Sequence, residues 1–151
     1  MQARSTTCAT ARARWGRESM SMHVRIVCPE FNAFEGNAVF ASIPSTDGEI
    51  GIMMHHASSI CTIEPGYIRI AEKALGTVEH TFAVTRGYAQ VANDELIILV
   101  NRAKDIATVD KDEVQAEIQG FEEKLSVLSE NDATRAYLYN EIDWCKLLLG
   151  A

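Results

Sequence analysis

The sequence predicts an α+β chain, with an antiparallel β-sandwich followed by an antiparallel two-helix hairpin. Three observations carry that prediction. Short strand-like segments recur between Val24 and Val100 with turn residues between them, the pattern of a sandwich or barrel. None of the intervening stretches is long and periodic enough for a crossover helix, so the sheets should be mainly antiparallel. Beyond Ile106, apolar residues return at helical spacings of three and four, as they do on amphipathic helices.

Charge divides the chain at the same places. Residues 1–20 carry four arginines and one acid, residues 21–105 six basic and ten acidic side chains, and residues 106–151 four basic and ten acidic. These blocks, at +3, -4 and -6, sum to the net charge of -7. We read them as an upstream extension, tag or targeting segment, a sandwich domain and a helical hairpin. The first block, rich in Arg, Ser and Thr and poor in acids, has the composition of an organelle transit peptide. Met20 and Met22 offer alternative starts just before the first strand.

Strand by strand, His23–Ile26 alternates polar and apolar residues, as a half-buried strand does, and Pro29 ends it. Asn37–Ile43 is a second candidate, stopped by Pro44, after which Ser45-Thr46-Asp47-Gly48 has turn chemistry. The segment Gly48–Ser58, GEIGIMMHHAS, opens on a Gly-Glu-Ile-Gly turn and leaves a metal site, a catalytic pair and a docking loop open. Ser59–Ile63 is closed by Glu64-Pro65-Gly66, and Tyr67–Ile70 alternates again. Thr77–Val84 and Gly87–Val91 follow, and Asn93-Asp94 turns the chain into the apolar run Glu95–Val100.

In the hairpin, Asp110-Lys111-Asp112-Glu113 has capping-box spacing. Val114, Ile118, Phe121, Leu125 and Leu128 then form one stripe. A polar connector, Ser129–Asp132, with its own cap candidates, leads to a second stripe of Leu138, Ile142, Cys145 and Leu149. Helices of this length are marginal alone in water, so each stripe must be buried on the other, on the sandwich or on a partner. Tyr137, Tyr139, Trp144, Leu147 and Leu148 lie off the second stripe, and either pack on the sandwich or meet another subunit.

Composition narrows the function. A content of 47% hydrophobic and 23% charged residues suits a globular core. The acidic balance argues against a nucleic-acid surface, which needs basic residues to displace phosphate counterions. No apolar run reaches the roughly 18 residues of a membrane span, so direct bilayer insertion is not expected. Cys8, Cys28, Cys61 and Cys145 form no C-x-x-C pair and read as reduced thiols. The chain has no G-x-S-x-G, H-E-x-x-H or P-loop pattern, so no catalytic residue or cofactor is expected. His55, His56 and Cys61 are a nominal metal set. However, neighbouring residues on a strand face opposite ways, so no metal site is assigned.

Four phrases, in order and spacing, resemble the epsilon subunit of the F-type rotary ATP synthase: CPEFNAFEG (Cys28–Gly36), TDGEIGI (Thr46–Ile52), HA (His56-Ala57) and EPGYIRI (Glu64–Ile70). That resemblance, strongest from Pro29 to Ala103, implies a non-catalytic rotor subunit of the central stalk in a proton- or sodium-coupled synthase. Its implied partners are the gamma subunit and the c-subunit ring, with transient contact to alpha and beta through the hairpin. Gamma would cover the apolar outer face of one sheet and the second helix. GEIGIMMHHAS would then be a c-ring docking loop presenting Glu49, Ile50, Ile52, Met53, Met54 and His56. The implied location is the cytoplasmic face of a bacterial membrane, or the matrix face of the mitochondrial inner membrane if residues 1–20 are a transit segment.

Departures from the family pattern carry their own expectations. The family's usual prolines are replaced by Met54 and Ser58, and its common Gly-Gly by Arg86-Gly87. Some bacterial relatives bind ATP through [IL]-D-x-x-R-A, and the matching stretch here has Ile106, Ala107, Asp110 and Lys111. Asp110 has the wrong sign for a phosphate, so ATP binding by that route is not expected. In several relatives the hairpin inhibits ATP hydrolysis by inserting basic residues against an acidic beta segment. A hairpin of net charge -6 opposes such an insertion. Regulation by this hairpin should be weak, or should rest on Tyr137, Tyr139 and Trp144. The alternative function is a free-standing β-sandwich nucleotide sensor with a mobile hairpin.

Overall fold

Two five-stranded sheets pack face to face in the computed structural model, which describes residues 20–150. The expected extension, residues 1–20, lies outside that range except for Met20, as does Cys8. In chain order the strands are β1 (Met22–Val27), β2 (Asn32–Ala38), β3 (Phe40–Ser45), β4 (Gly48–Met53), β5 (Ser59–Ile63), β6 (Gly66–Ala71), β7 (His80–Val84), β8 (Gly87–Ala92), β9 (Glu95–Val100) and β10 (Ala103–Asp105). A 3-10 turn at Ile106–Thr108 leads into α1 (Lys111–Val127) and α2 (Thr134–Leu149). The first sheet has the order β2-β1-β9-β8-β5, and the second β10-β7-β6-β3-β4.

Alternation along each strand builds the core between the sheets. Val24, Ile26, Ala89, Leu96 and Ile98 of the first sheet face Ala41, Ile43, Ile52, Ile68, Ile70 and Val84 of the second, all fully buried. Pairing is antiparallel except between β1 and β9, which run parallel at the centre of the first sheet.

Three local expectations are corrected. The single strand expected over Asn37–Ile43 is two strands in different sheets. The chain bends at Val39, whose N–H donates to Ala71 O at 2.8 Å. Pro44 lies within β3 instead of ending it. Its register partner is Glu49 on β4, while β3 pairs with β6 only over Phe40–Ser42, so no ladder bond is lost on that side. GEIGIM is a strand, β4, at the edge of the second sheet. Two of its features demand glycine. Gly48 turns the chain at φ +116°, and a Cβ at Gly51 would lie 2.9 Å from the Phe40 ring.

The hairpin folds down on the outer face of the second sheet. Val114, Cys145 and Leu148 are buried there with Ala83 of β7, flanked by Tyr67, Phe121, Trp144 and Leu147. Ala83, fully buried and small, lets the helices approach β7 closely. Covering a side chain such as Leu148 contributes about 1.5–3 kcal/mol, which is what the helices need beyond their own propensity. The α1 stripe is as expected, with Val114 buried and Ile118, Phe121, Leu125 and Leu128 half-buried. On α2 the buried set is Leu138, Ile142, Cys145 and Leu148, with Leu148 taking the place expected for Leu149.

Polar contacts close the helix ends. Asp110 accepts from the N–H groups of Asp112 and Glu113 at the start of α1. Asp132 accepts from the Thr134 N–H at 2.9 Å at the start of α2. The Arg135 guanidinium donates to Leu125 O and Leu128 O, satisfying carbonyls at the C-terminus of α1.

Candidate docking surface

On β4, residues alternate between the core and the outer face of the second sheet. Ile52 is fully buried and Ile50 is half-buried against the same core. Ile52 is therefore a core residue and is not available as a docking contact, because strand alternation points it inward. Glu49 and Met53 share the outer face. Glu49 takes an ion pair from Arg69 of β6 across the intervening strand β3, whose Ser42 Oγ donates to it at 3.3 Å. Its charge is thus already partnered within the sheet.

The turn after β4 carries the remaining residues. Met54 is half-buried, and both histidines are exposed. His55 has a positive φ of 64°, with its N–H bonded to the Asp94 carboxylate at 2.6 Å. A ring nitrogen of His56 lies 2.8 Å from Ala57 O. His55 and His56 lie in a turn rather than on a strand, and Cys61 is half-buried with its Sγ directed to Ala89 O at 3.8 Å. No group of three metal-ligating side chains occurs among the described residues. Burial raises the thiol pKa of Cys28, Cys61 and Cys145 above the ordinary value.

A second surface lies on the opposite side of the sandwich. Pairing places Val27, Leu99, Tyr88 and Thr62 in one row across the outer face of the first sheet. Tyr88 is 61% and Leu99 52% exposed, and nearby Ile60 on β5 is 74% exposed. A row of large apolar side chains left open on one sheet face is the kind of patch a partner covers.

On the hairpin, Tyr137 and Tyr139 are exposed, with the Arg135 guanidinium over the Tyr139 ring at 5.9 Å. Trp144, in contrast, packs with the cluster between helix and sheet. Arg102, in the β9–β10 connection, donates to both carboxylate oxygens of Glu141 at 3.0 and 2.7 Å. Tyr67 Oη donates to Leu147 O. At the degenerate nucleotide motif, Ile106 packs against the hairpin cluster, Ala107 N–H donates to Asp105, and Lys111 is exposed. The Asp110 carboxylate occupies the α1 amides that a phosphate would use.

A family model described as the beta-sandwich domain of the ATP synthase delta/epsilon chain matches residues 21–106. The ATP synthase epsilon chain of Hyphomonas neptunium is 30% identical over 130 residues, covering 86% of this chain and 95% of that one. This chain belongs to the ATP synthase epsilon family. Among solved structures, a chain of the Euglena gracilis mitochondrial ATP synthase (OSCP/F1/c-ring) matches with a TM-score of 0.67 at 16% identity, over 87% of this chain and 81% of that one. A chain of the Tetrahymena thermophila mitochondrial ATP synthase central stalk and c-ring matches at 0.55 and 18% identity, over 85% and 94%. At those identities the two structures show a shared fold over most of the chain and nothing more.

Sequence reasoning about this epsilon-family chain missed Asp94, Arg69 and Arg102. Asn93-Asp94 was legible as a turn, but nothing local indicates that its carboxylate reaches the β4–β5 turn. Arg69 and Arg102 are single cations whose partners lie 20 and 39 positions away. No helix among the described residues is long and apolar enough to cross a membrane.

Proposed function

We propose that this chain is the non-catalytic central-stalk subunit of a proton- or sodium-coupled rotary ATP synthase, grips the gamma subunit and couples its rotation to the c ring. The observation that carries this reading is the open apolar row on the first sheet, Val27, Leu99 and Tyr88 with Ile60 beside it. A torque-bearing grip needs apolar area with aromatic anchors, and Tyr88 supplies one. The α2 stripe is already buried within the chain, which supports placing the gamma contact on this sheet rather than on the second helix.

Docking to the c ring falls to Glu49, Met53, Met54 and His56, all on the edge strand β4 or the turn that follows it. Glu49 exchanges part of its pairing with Arg69 for a polar group on the ring, and the two methionines supply adaptable apolar contact. The complex sits at the cytoplasmic face of a bacterial membrane or the matrix face of a mitochondrial one. Hydrolysis is regulated weakly by the hairpin, whose net charge of -6 opposes insertion beside an acidic segment. Deleting residues 106–151 should change hydrolysis by the assembled enzyme little, and a large activation would refute the weak role.

Co-expression with gamma tests the main reading. The wild-type chain should co-purify as a stable pair, and Tyr88→Glu should abolish the pair while leaving the chain folded by circular dichroism. Retention of gamma by Tyr88→Glu would move the contact off this face. Failure of the wild type to pair would overturn the rotor reading.

A further inference from the structure

Asp94 joins three segments at one end of the sandwich. It lies in the β8–β9 turn, where Asn93 and Asp94 have φ of 51° and 59°, the geometry of a tight two-residue hairpin. Its carbonyl accepts the His23 N–H at the start of β1 at 2.9 Å. Its Oδ1 accepts the His55 N–H at 2.6 Å, and Oδ2 lies 3.6 Å from His55 Nδ1. The His23 contact lies within the first sheet. The carboxylate contacts cross to the turn that follows the edge strand of the second sheet.

His55 needs that hold. Its backbone is left-handed, a conformation that disfavours a residue with a Cβ. Its side chain is 75% exposed, so packing does not fix it. A charge-assisted hydrogen bond from a backbone N–H to a carboxylate is among the stronger restraints available to an exposed turn. Met53 and Met54 lie immediately before His55, and His56 immediately after.

We propose that Asp94 is a positioning residue, whose carboxylate fixes His55 in its left-handed conformation and so presents Met53, Met54 and His56 as one preformed surface to the c ring. This rests on the docking reading above. A preformed turn avoids the ordering cost that a loose one incurs on binding. Asp94 itself touches no partner. It acts only through the His55 amide, and the conservative Asn, which keeps an Oδ1 acceptor and tolerates positive φ, should substitute for it.

The test uses the full chain with Asp94→Ala, Asp94→Asn and, as a docking control, Glu49→Ala. Exchange of the His55 amide is followed by NMR in the free chain, and binding is measured against a detergent-solubilised c ring. Asp94→Ala should speed His55 exchange about tenfold or more, since a hydrogen bond to a charged group is lost, and should weaken ring binding several-fold. Asp94→Asn should keep exchange slow and binding close to wild type. Glu49→Ala should weaken binding with His55 exchange unchanged. Unchanged exchange in Asp94→Ala overturns the joint. Faster exchange with undiminished ring binding overturns the positioning role. A wild-type chain that does not bind the ring overturns the docking reading and with it the positioning role, while the exchange result still reports the joint.

Discussion

Replacing Glu141 with Ala should loosen the hairpin without loosening the sandwich. Glu141 sits on α2 with its side chain only 14% exposed, and accepts both hydrogen bonds of the Arg102 fork. A hydrogen bond to a charged group contributes about 1.5–3 kcal/mol when desolvated, and an exposed ion pair about 0–1 kcal/mol. Arg102 is 44% exposed, so solvent screens one partner and the pair should contribute about 1–2 kcal/mol. That loss raises the population of hairpin-open molecules roughly 5- to 30-fold. Arg102 has its pKa raised chiefly by its hydrogen bond to Glu141. On the arginine side that stabilisation is lost only in strongly alkaline solution, so the effect should not vary between pH 6 and 9. Native-state hydrogen exchange reads it directly. Amides of α2 should exchange faster by that factor, while those of Ile68 and Ile98, in the separate sandwich core, should not change. Unaltered α2 exchange, or core amides that accelerate in step with the helix, would refute the reasoning.

Further outcomes follow from the same contacts. Cys145 is 2% exposed, with its thiol held up by burial and then by Glu117, so a maleimide should label it slowly in the wild type and faster in Glu141→Ala, as peptide mass spectrometry would read. Asp132 has its carboxyl held below the ordinary value of 3.8 by the Thr134 hydrogen bonds. The Asp132–Thr134 contact at the start of α2 should therefore be intact above about pH 4 and lost as pH falls below it, as seen in the exchange of the Thr134 amide. Gly87→Ala should destabilise by several kcal/mol, because its Cβ would lie 1.9 Å from Leu99 O. In contrast, Gly120→Ala in open space on α1 should stabilise by about 0.5–1 kcal/mol, and urea unfolding separates the two.

What the sequence disclosed was local periodicity, and what it hid was long-range pairing. Alternation in His23–Ile26 and the three-and-four spacing from Val114 to Leu128 report directly which side of an element is buried, so sandwich and hairpin were both legible. Asp110 was legible as a cap because its acceptor and donors lie within three positions. The division of strands between sheets was not. At Val39 the chain leaves one sheet for the other without Gly or Pro, using a backbone bond to Ala71. The β4 strand was hidden because glycines and an acid break its apolar run. Gly51 is required by the Phe40 ring above it, a neighbour on β3. Ile52 was assigned to the surface because the segment read as a loop, and once it is a strand, alternation alone turns that side chain inward.

The hairpin and the proposed gamma contact lie on opposite faces of the sandwich. The hairpin covers Ala83 and Tyr67 on the outer face of the second sheet. The apolar row of Val27, Leu99 and Tyr88 lies on the outer face of the first, with the whole core between them. Stacked sheets stand about 10 Å apart, so a partner on one face makes no direct contact with helices on the other. Opening the hairpin exposes Val114, Cys145 and Leu148 but leaves the proposed gamma contact untouched. Closing it adds nothing to that contact. Any coupling between them has to pass through the buried core between the sheets. On that placement, opening the hairpin leaves a gamma subunit on the first sheet undisturbed, and the polar contacts of Arg102, Glu141 and Tyr67 oppose the opening.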